Sequence, residues 1–399
     1  MNQSLAGSNS FPRHLHTLDA VRGLAALAVV FWHWVHFFLQ DTPHFQRELQ
    51  PLYSVFAPLY TQGWRAVDLF FCLSGFIFYW RYSGMVAERT ISSRNFFVMR
   101  FARLYPLHAL TLVAVAVGQQ IMMAQRGSYF VYPYNDFYHF ALQTLFAANW
   151  GLQKGWSFNA PVWSVAYELG LYAVFFVVCF YNFRRWWHLA LMSSLGCGLT
   201  FSSYPTLHQF GVCTVSFFMG GLAFHGARFL VRCSVSTGAL TILSGLTILI
   251  WILTPSTPWE SVVSAHANGR LRFGVSQLAS PLLKLWYNHS FSLIVFPMTI
   301  MVVALWEVRW RSVASWAGVL GRISYSSYLL HFPLQLVFAG VAARLGFSYA
   351  FFYTPVALWL FFGTLIPLSL LTYHFFELPC QRAIRKWLVR RPRPGEHAA

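Results

Sequence analysis

Ten apolar runs constrain this chain more than any other feature. They lie at about 21–39, 64–81, 104–124, 161–182, 187–203, 208–227, 235–253, 288–306, 323–343 and 351–376. Each is long enough, or nearly so, to cross a hydrocarbon layer about 30 Å thick. No water satisfies the backbone inside lipid, so a continuous apolar run of this length must close its hydrogen bonds as a helix. The expected fold is all-α: a polytopic integral membrane protein with about ten transmembrane helices. Composition agrees, with 57% hydrophobic and 10% charged residues and a mean hydropathy of +0.50. No soluble domain has that make-up.

Charge orients the spans. The chain carries 28 Lys and Arg against 11 Asp and Glu, a formal net charge of +17. With the N-terminus inside, 20 of the 28 basic residues fall in inner segments and 8 in outer ones. That asymmetry favours both termini in the cytoplasm. The expected organisation is a cytoplasmic segment 1–17, a membrane domain 18–380 and a basic tail 381–399. The first run is read as a retained span, since it shows no small-residue cleavage site. The basic residues sit between apolar runs, where anionic headgroups attract them. No RNP-like or zinc-finger spacing accompanies them, so no nucleic-acid partner is expected. The six cysteines are scattered without a CxxC pair and read as small core residues.

Ionisable groups inside spans are costly and mark function. The first run, LDAVRGLAALAVVFWHWVH over 18–36, carries Arg22 near its start and His33 deep within it. Eleven helical steps return to within about 20° of the same face, about 16 Å along the axis. Two acids also fall inside runs: Asp68 in GWRAVDLFFCLSGF and Glu168 in PVWSVAYELGLY. Counting rises from the expected surfaces puts His33, Glu168 and Asp68 about 12, 10 and 6 Å below the outer face. An imidazole oriented by a carboxylate is a general base for a hydroxyl. At the inner face Arg100 and Arg103, one turn apart in NFFVMRFARLYPLHAL, join Arg22 as candidate phosphate ligands. In GRISYSSYLLHFPL, Ser324, Tyr328 and His331 share a helix face, and His331 reads as a core histidine bonded to a neighbour. The external loops 40–63, 125–160 and 254–287 are aromatic, as interfacial belts and sugar-binding faces are. HExxH, P-loop, nucleophile-elbow and GxGxxG motifs are absent from the sequence, and no metal is expected.

Six stretches occur in one order over about 18–379: LDAVRGLAALAVVFWH, AVDLFFCLSGF, FVMRFARLYPL, WSVAYELGLY, ISYSSYLLHFPL and FFELP. Together they resemble the membrane acyltransferase-3 family, which includes O-acetyltransferases of bacterial surface glycans. The resemblance implies ten spans, cytosolic acyl-CoA (acetyl-CoA foremost) as donor, and a glycan or small hydroxylated molecule as acceptor. It maps the family's Arg-x10-His element onto Arg22 and His33, its basic element onto Arg100 and Arg103, and its span acid onto Glu168. The family often pairs two acids there; here Leu169 follows Glu168. The implied location is the inner (plasma) membrane. The competing reading is a transporter or flippase of a glycan or organic anion, with His33 and Glu168 as a proton relay.

Cysteine-accessibility labelling in a Cys-free background tests the orientation. The 82–99 loop should label only from the cytoplasmic side; labelling from outside alone reverses the topology.

Overall fold

The computed structural model describes residues 11–12, 14–39, 45–256, 289–310 and 318–389. Residues 1–10 and 13, the start of the expected 40–63 loop, most of the 254–287 loop and the tail from residue 390 lie outside them. The principal helices are α1 (His16–Trp32), α2 (Tyr53–Gln62), α3 (Ala66–Arg81), α4 (Ser93–Arg126), α5 (Phe137–Thr144), α6 (Trp163–Phe180) and α7 (Trp186–Leu199). They continue as α8 (Pro205–Arg232), α9 (Thr237–Ser256), α10 (Phe296–Arg309), α11 (Gly318–Arg344), α12 (Pro355–Thr372) and α13 (Leu378–Leu388). No strand occurs among the described residues.

Among the described residues, eight helices are long and apolar enough to cross a membrane. They match eight of the ten expected runs. The other two are helical but shorter, α3 with 16 residues and α7 with 14. The apolar run before α3 begins in a 3-10 turn, Gly63–Arg65, and the run through α7 ends in turns at Thr200–Tyr204. The Phe137–Trp150 stretch forms only the short α5 and an irregular turn at Ala148–Leu152.

The chain forms two compact units, interleaved in sequence. The first comprises Met1–Arg22, Val67–Gly84 and Asn182–Val319. Its helices meet at a backbone-to-backbone crossing of α3 with α8. A Cβ on Gly75 would overlap the carbonyl of Phe217, and one on Gly220 would overlap that of Cys72. Around this crossing pack Cys72, Phe76, Phe217 and Phe218, all buried. At the start of α1, Glu307 on α10 accepts from the backbone N–H groups of His16 and Thr17 at 2.7 and 2.8 Å. That carboxylate supplies acceptors to a helix N-terminus that lacks them. On α9, Ile242, Ile248 and Ile252 are each 60% or more exposed. Such an apolar outer surface belongs against lipid.

The second unit comprises Gly23–Ala66, Met85–Tyr181 and Leu320–Ala399. Its centre is α11, which lies against α1 where Gly23 leaves room for the backbone of Leu320. Pro333 inside α11 has no N–H for the carbonyl of Leu329. Asn159 Nδ2 donates to that carbonyl at 3.1 Å, so the break in the helix is satisfied from outside. The α-winding of the first helix stops at Trp32, and His33–Phe38 continue as a 3-10 helix. Trp34 there donates its indole N–H to the carbonyl of Phe352 at 3.0 Å, and Phe37 stacks on Phe352 at 4.0 Å. α4 is the longest element, 34 residues from its Ser92 cap to Gly127, which takes φ +69°.

The crossing in the first unit yields a test. Gly220→Leu should lower the detergent melting temperature sharply, because overpacking against backbone costs on the order of 3 kcal/mol or more. Gly198→Ala, where an added Cβ meets nothing within 4 Å, should leave it nearly unchanged. Equal melting temperatures for both variants would contradict the packing.

Candidate functional site: an imidazole chain in the second unit

His33 opens the 3-10 turn, and His36 lies one such turn on. From α11, His331 and Gln335 face them, four residues apart on one side of that helix. The contacts form one connected network. His331 Nδ1 lies 2.6 Å from the carbonyl of Tyr328, and His331 Nε2 lies 3.1 Å from His33 Nδ1. Gln335 Nε2 donates to the carbonyl of His33 at 2.9 Å, and Gln335 Oε1 lies 2.9 Å from His36 Nδ1. Tyr132 Oη lies 3.1 Å from His36 Nε2.

These partners assign the protons of neutral rings. A carbonyl only accepts, so His331 Nδ1 carries its proton and His331 Nε2 is an acceptor. His33 Nδ1 must then donate to it; the His33 ring also bonds the backbone of Val29 one turn earlier, and with the same Nδ1–H serving both acceptors the lone pair stays on His33 Nε2. The Gln335 amide is fixed in the same way: its nitrogen faces a carbonyl, so its oxygen faces His36 Nδ1–H. His36 Nε2 accepts from the Tyr132 hydroxyl and is thereby fully partnered. Burial separates the rings as well. His331 is 0% exposed and His36 4%, whereas His33 is only half-buried. Of the three imidazoles, His33 alone combines access with an unprotonated nitrogen.

The layer around the chain is also bonded. Tyr328 Oη donates to the carbonyl of Pro161 and lies 2.9 Å from Ser164 Oγ at the start of α6. Phe332 packs beside His36 and Tyr132, and Phe130 packs on Phe332.

Glu168 lies elsewhere in the second unit than the sequence suggested. One turn after Ser164, half-buried, it accepts the hydroxyl proton of Tyr172. The charges of Glu168, Arg100 and Arg103 all act on the Tyr172 phenol. Glu168, Glu377, Arg103 and Tyr172 act on Tyr325, whose hydroxyl donates to the carbonyl of Leu104 at 2.6 Å. Tyr325 and His331 are six residues apart on α11, about 9 Å. The second unit therefore has two polar levels, one of imidazoles and one of Glu168 with the two arginines. Arg100 is buried beside the ring of Phe96.

Arg22 and Asp68 belong to the first unit. Arg22 donates to Asp19 at 2.8 Å, so it holds a carboxylate already. Asp68 is buried on α3, close enough to Cys72 and Cys213 for its charge to act on both. Among the described residues, His14, His16 and Asp19 bring three potential metal-binding atoms within 4.8 Å of one another. The guanidinium of Arg22 on Asp19 opposes a cation there.

The sequence reading gave His33 its weight but missed His36, Gln335, Tyr132 and Asn159. The signal was present in two places. His33 with His36, and His331 with Gln335, are polar pairs at i, i+3 and i, i+4 inside apolar runs, where lone polar residues are expensive.

Fold and site together define a multi-pass membrane protein with an imidazole-centred polar interior. The family model described as "Acyltransferase domain" matches residues 15–374, nearly the whole chain and parts of both units. The chain belongs to the acyltransferase-3 family. A curated relative, "Protein 2 in picA locus" of Rhizobium radiobacter, is 38% identical over 109 residues. That match covers 27% of this chain and 48% of the relative, so the chain spans about half of that protein's length. No solved structure matches.

Proposed function

We propose that this acyltransferase moves an acyl group, acetyl foremost, from cytosolic acyl-CoA to a hydroxyl of a surface glycan or a smaller carbohydrate. It would act in the inner (plasma) membrane with both termini in the cytoplasm. The observation that carries the reading is the proton assignment that leaves the lone pair on half-buried His33 Nε2. In this reading His33 Nε2 takes the proton from the acceptor hydroxyl as its oxygen attacks the thioester carbonyl. The new C–O bond forms, the C–S bond breaks, and the imidazolium returns the proton to the departing thiolate. His331 is a positioning residue: by accepting from Nδ1–H it fixes the tautomer and turns Nε2 toward the acceptor. The carboxylate that often does this work is replaced by a second imidazole.

Arg100 and Arg103 are suited to the phosphates of the donor, as guanidinium groups pair with phosphate in charge-assisted bonds. Glu168, bonded to Tyr172, lies close enough to that pair of cations for all three charges to act on the Tyr172 phenol. Exposed Trp150, Trp156, Tyr134 and Tyr138 in the 125–160 region offer flat faces to a sugar ring.

Transfer from acetyl-CoA by the purified protein, with the carbohydrate product identified by mass spectrometry, tests this. His33→Ala should lower kcat by about 10²- to 10⁴-fold, the usual worth of a general base. His331→Leu should lower kcat and leave KM for acetyl-CoA unchanged, whereas His331→Gln, which keeps an acceptor, should recover part of the rate. Arg103→Ala and Glu168→Gln should instead raise KM for the donor. A His33→Ala protein that transfers at a near-normal rate would overturn the assignment. So would an identical loss in His331→Leu and His331→Gln that follows melting temperature alone.

A further inference from the structure

The first unit has a pocket of about 460 Å³, lined by Trp186, Leu222, His225, Gly226, Arg228, Phe229 and Arg232. Its polar side comes from the last turns of α8, where His225, Arg228 and Arg232 recur at helical spacing. Arg184, just ahead of α7, adds a further cation. The two charges that act on Arg228 are those of Arg232 and Arg184, so the guanidinium groups share one patch. Like charges this close repel, and an anion in the pocket would relieve them. Arginines in a final helical turn also complement the helix carbonyls, but that role requires neither a pocket nor a shared patch.

The pocket's other side is apolar. Trp186 and Phe229 are each 64% exposed at its mouth. Cations beside two exposed apolar rings match a molecule with an anionic head and a hydrocarbon tail. A free phosphate would leave both rings uncovered.

We propose that this pocket binds an anionic phospholipid, its phosphate held by Arg228, Arg232 and His225 and one acyl chain laid against Trp186 and Phe229. The site lies wholly in the first unit and goes beyond the transfer reaction. It would make the bilayer's anionic lipid a bound component of this protein.

Delipidated full-length protein, titrated by microscale thermophoresis with short-chain phosphatidylglycerol, short-chain phosphatidylcholine, inorganic phosphate and coenzyme A, tests the site. Phosphatidylglycerol should bind saturably, at least tenfold tighter than phosphatidylcholine or phosphate. The double variant R228Q/R232Q should lose about 30-fold in that affinity, the usual worth of two basic residues near an anionic headgroup. Phe229→Ser should weaken the lipid and leave phosphate binding as it was. If the double variant does not fold, Arg232→Gln alone, at the exposed end of α8, should lose about fivefold. Equal binding of the two lipids, or unchanged phosphatidylglycerol binding in R228Q/R232Q or Arg232→Gln, would overturn the proposal. Coenzyme A displacing the lipid, with its own affinity lost in R228Q/R232Q, would also overturn it and make the pocket a nucleotide site.

Discussion

The hydrogen bond between His33 Nδ1 and His331 Nε2 is the contact on which the second unit's polar interior depends. Two imidazoles amid apolar helices are costly unless each nitrogen that faces protein finds a partner. Three nitrogens of the pair do: His331 Nδ1 at the carbonyl of Tyr328, and the two that share the bond. The fourth, His33 Nε2, is where the network stops. A chain of this kind can point its free end in only one chemical direction, because the carbonyl at the other end cannot donate. Neutral rings and a backbone oxygen are thus enough to present a base, with no carboxylate in the chain.

The backbone around this bond shows why it can form. α1 approaches α11 closely because Gly23 has no Cβ to strike Leu320. The helix then tightens to 3-10 at His33, and Gln335 takes up the His33 carbonyl. On the facing side Pro333 opens α11 two residues after His331, and Asn159 closes the gap. Glycine, proline and one amide side chain set the positions of two rings.

Much of this was legible in the sequence, for reasons that differ by residue. Run length reported the helices, since lipid imposes it directly. At α3 and α7 the runs form shorter helices, of 16 and 14 residues. The cost of an imidazole in an apolar run singled out His33. Depth counting set Glu168 and His33 at one level, but a count along each helix contains nothing about the neighbours of either. The structure joins Glu168 to Tyr172 with Arg100 and Arg103, and His33 to His331. The Arg22 pairing with Asp19, three residues away, was within reach of helical spacing alone. The His36–Gln335 contact was not, because it joins residues 299 apart.

The tautomer of His33 is the quantity from which the proposed chemistry follows, and nitrogen NMR reads it directly. Protein labelled with ¹⁵N-histidine in lipid bilayers, compared with His33→Ala to isolate the signals of His33, would report the protonation of each ring nitrogen. The expected spectrum shows Nδ1 protonated and Nε2 bare, with magnetisation passing from Nδ1–H to the unprotonated Nε2 of His331. A spectrum with the proton on Nε2 of His33, or on Nε2 of His331, would contradict the account.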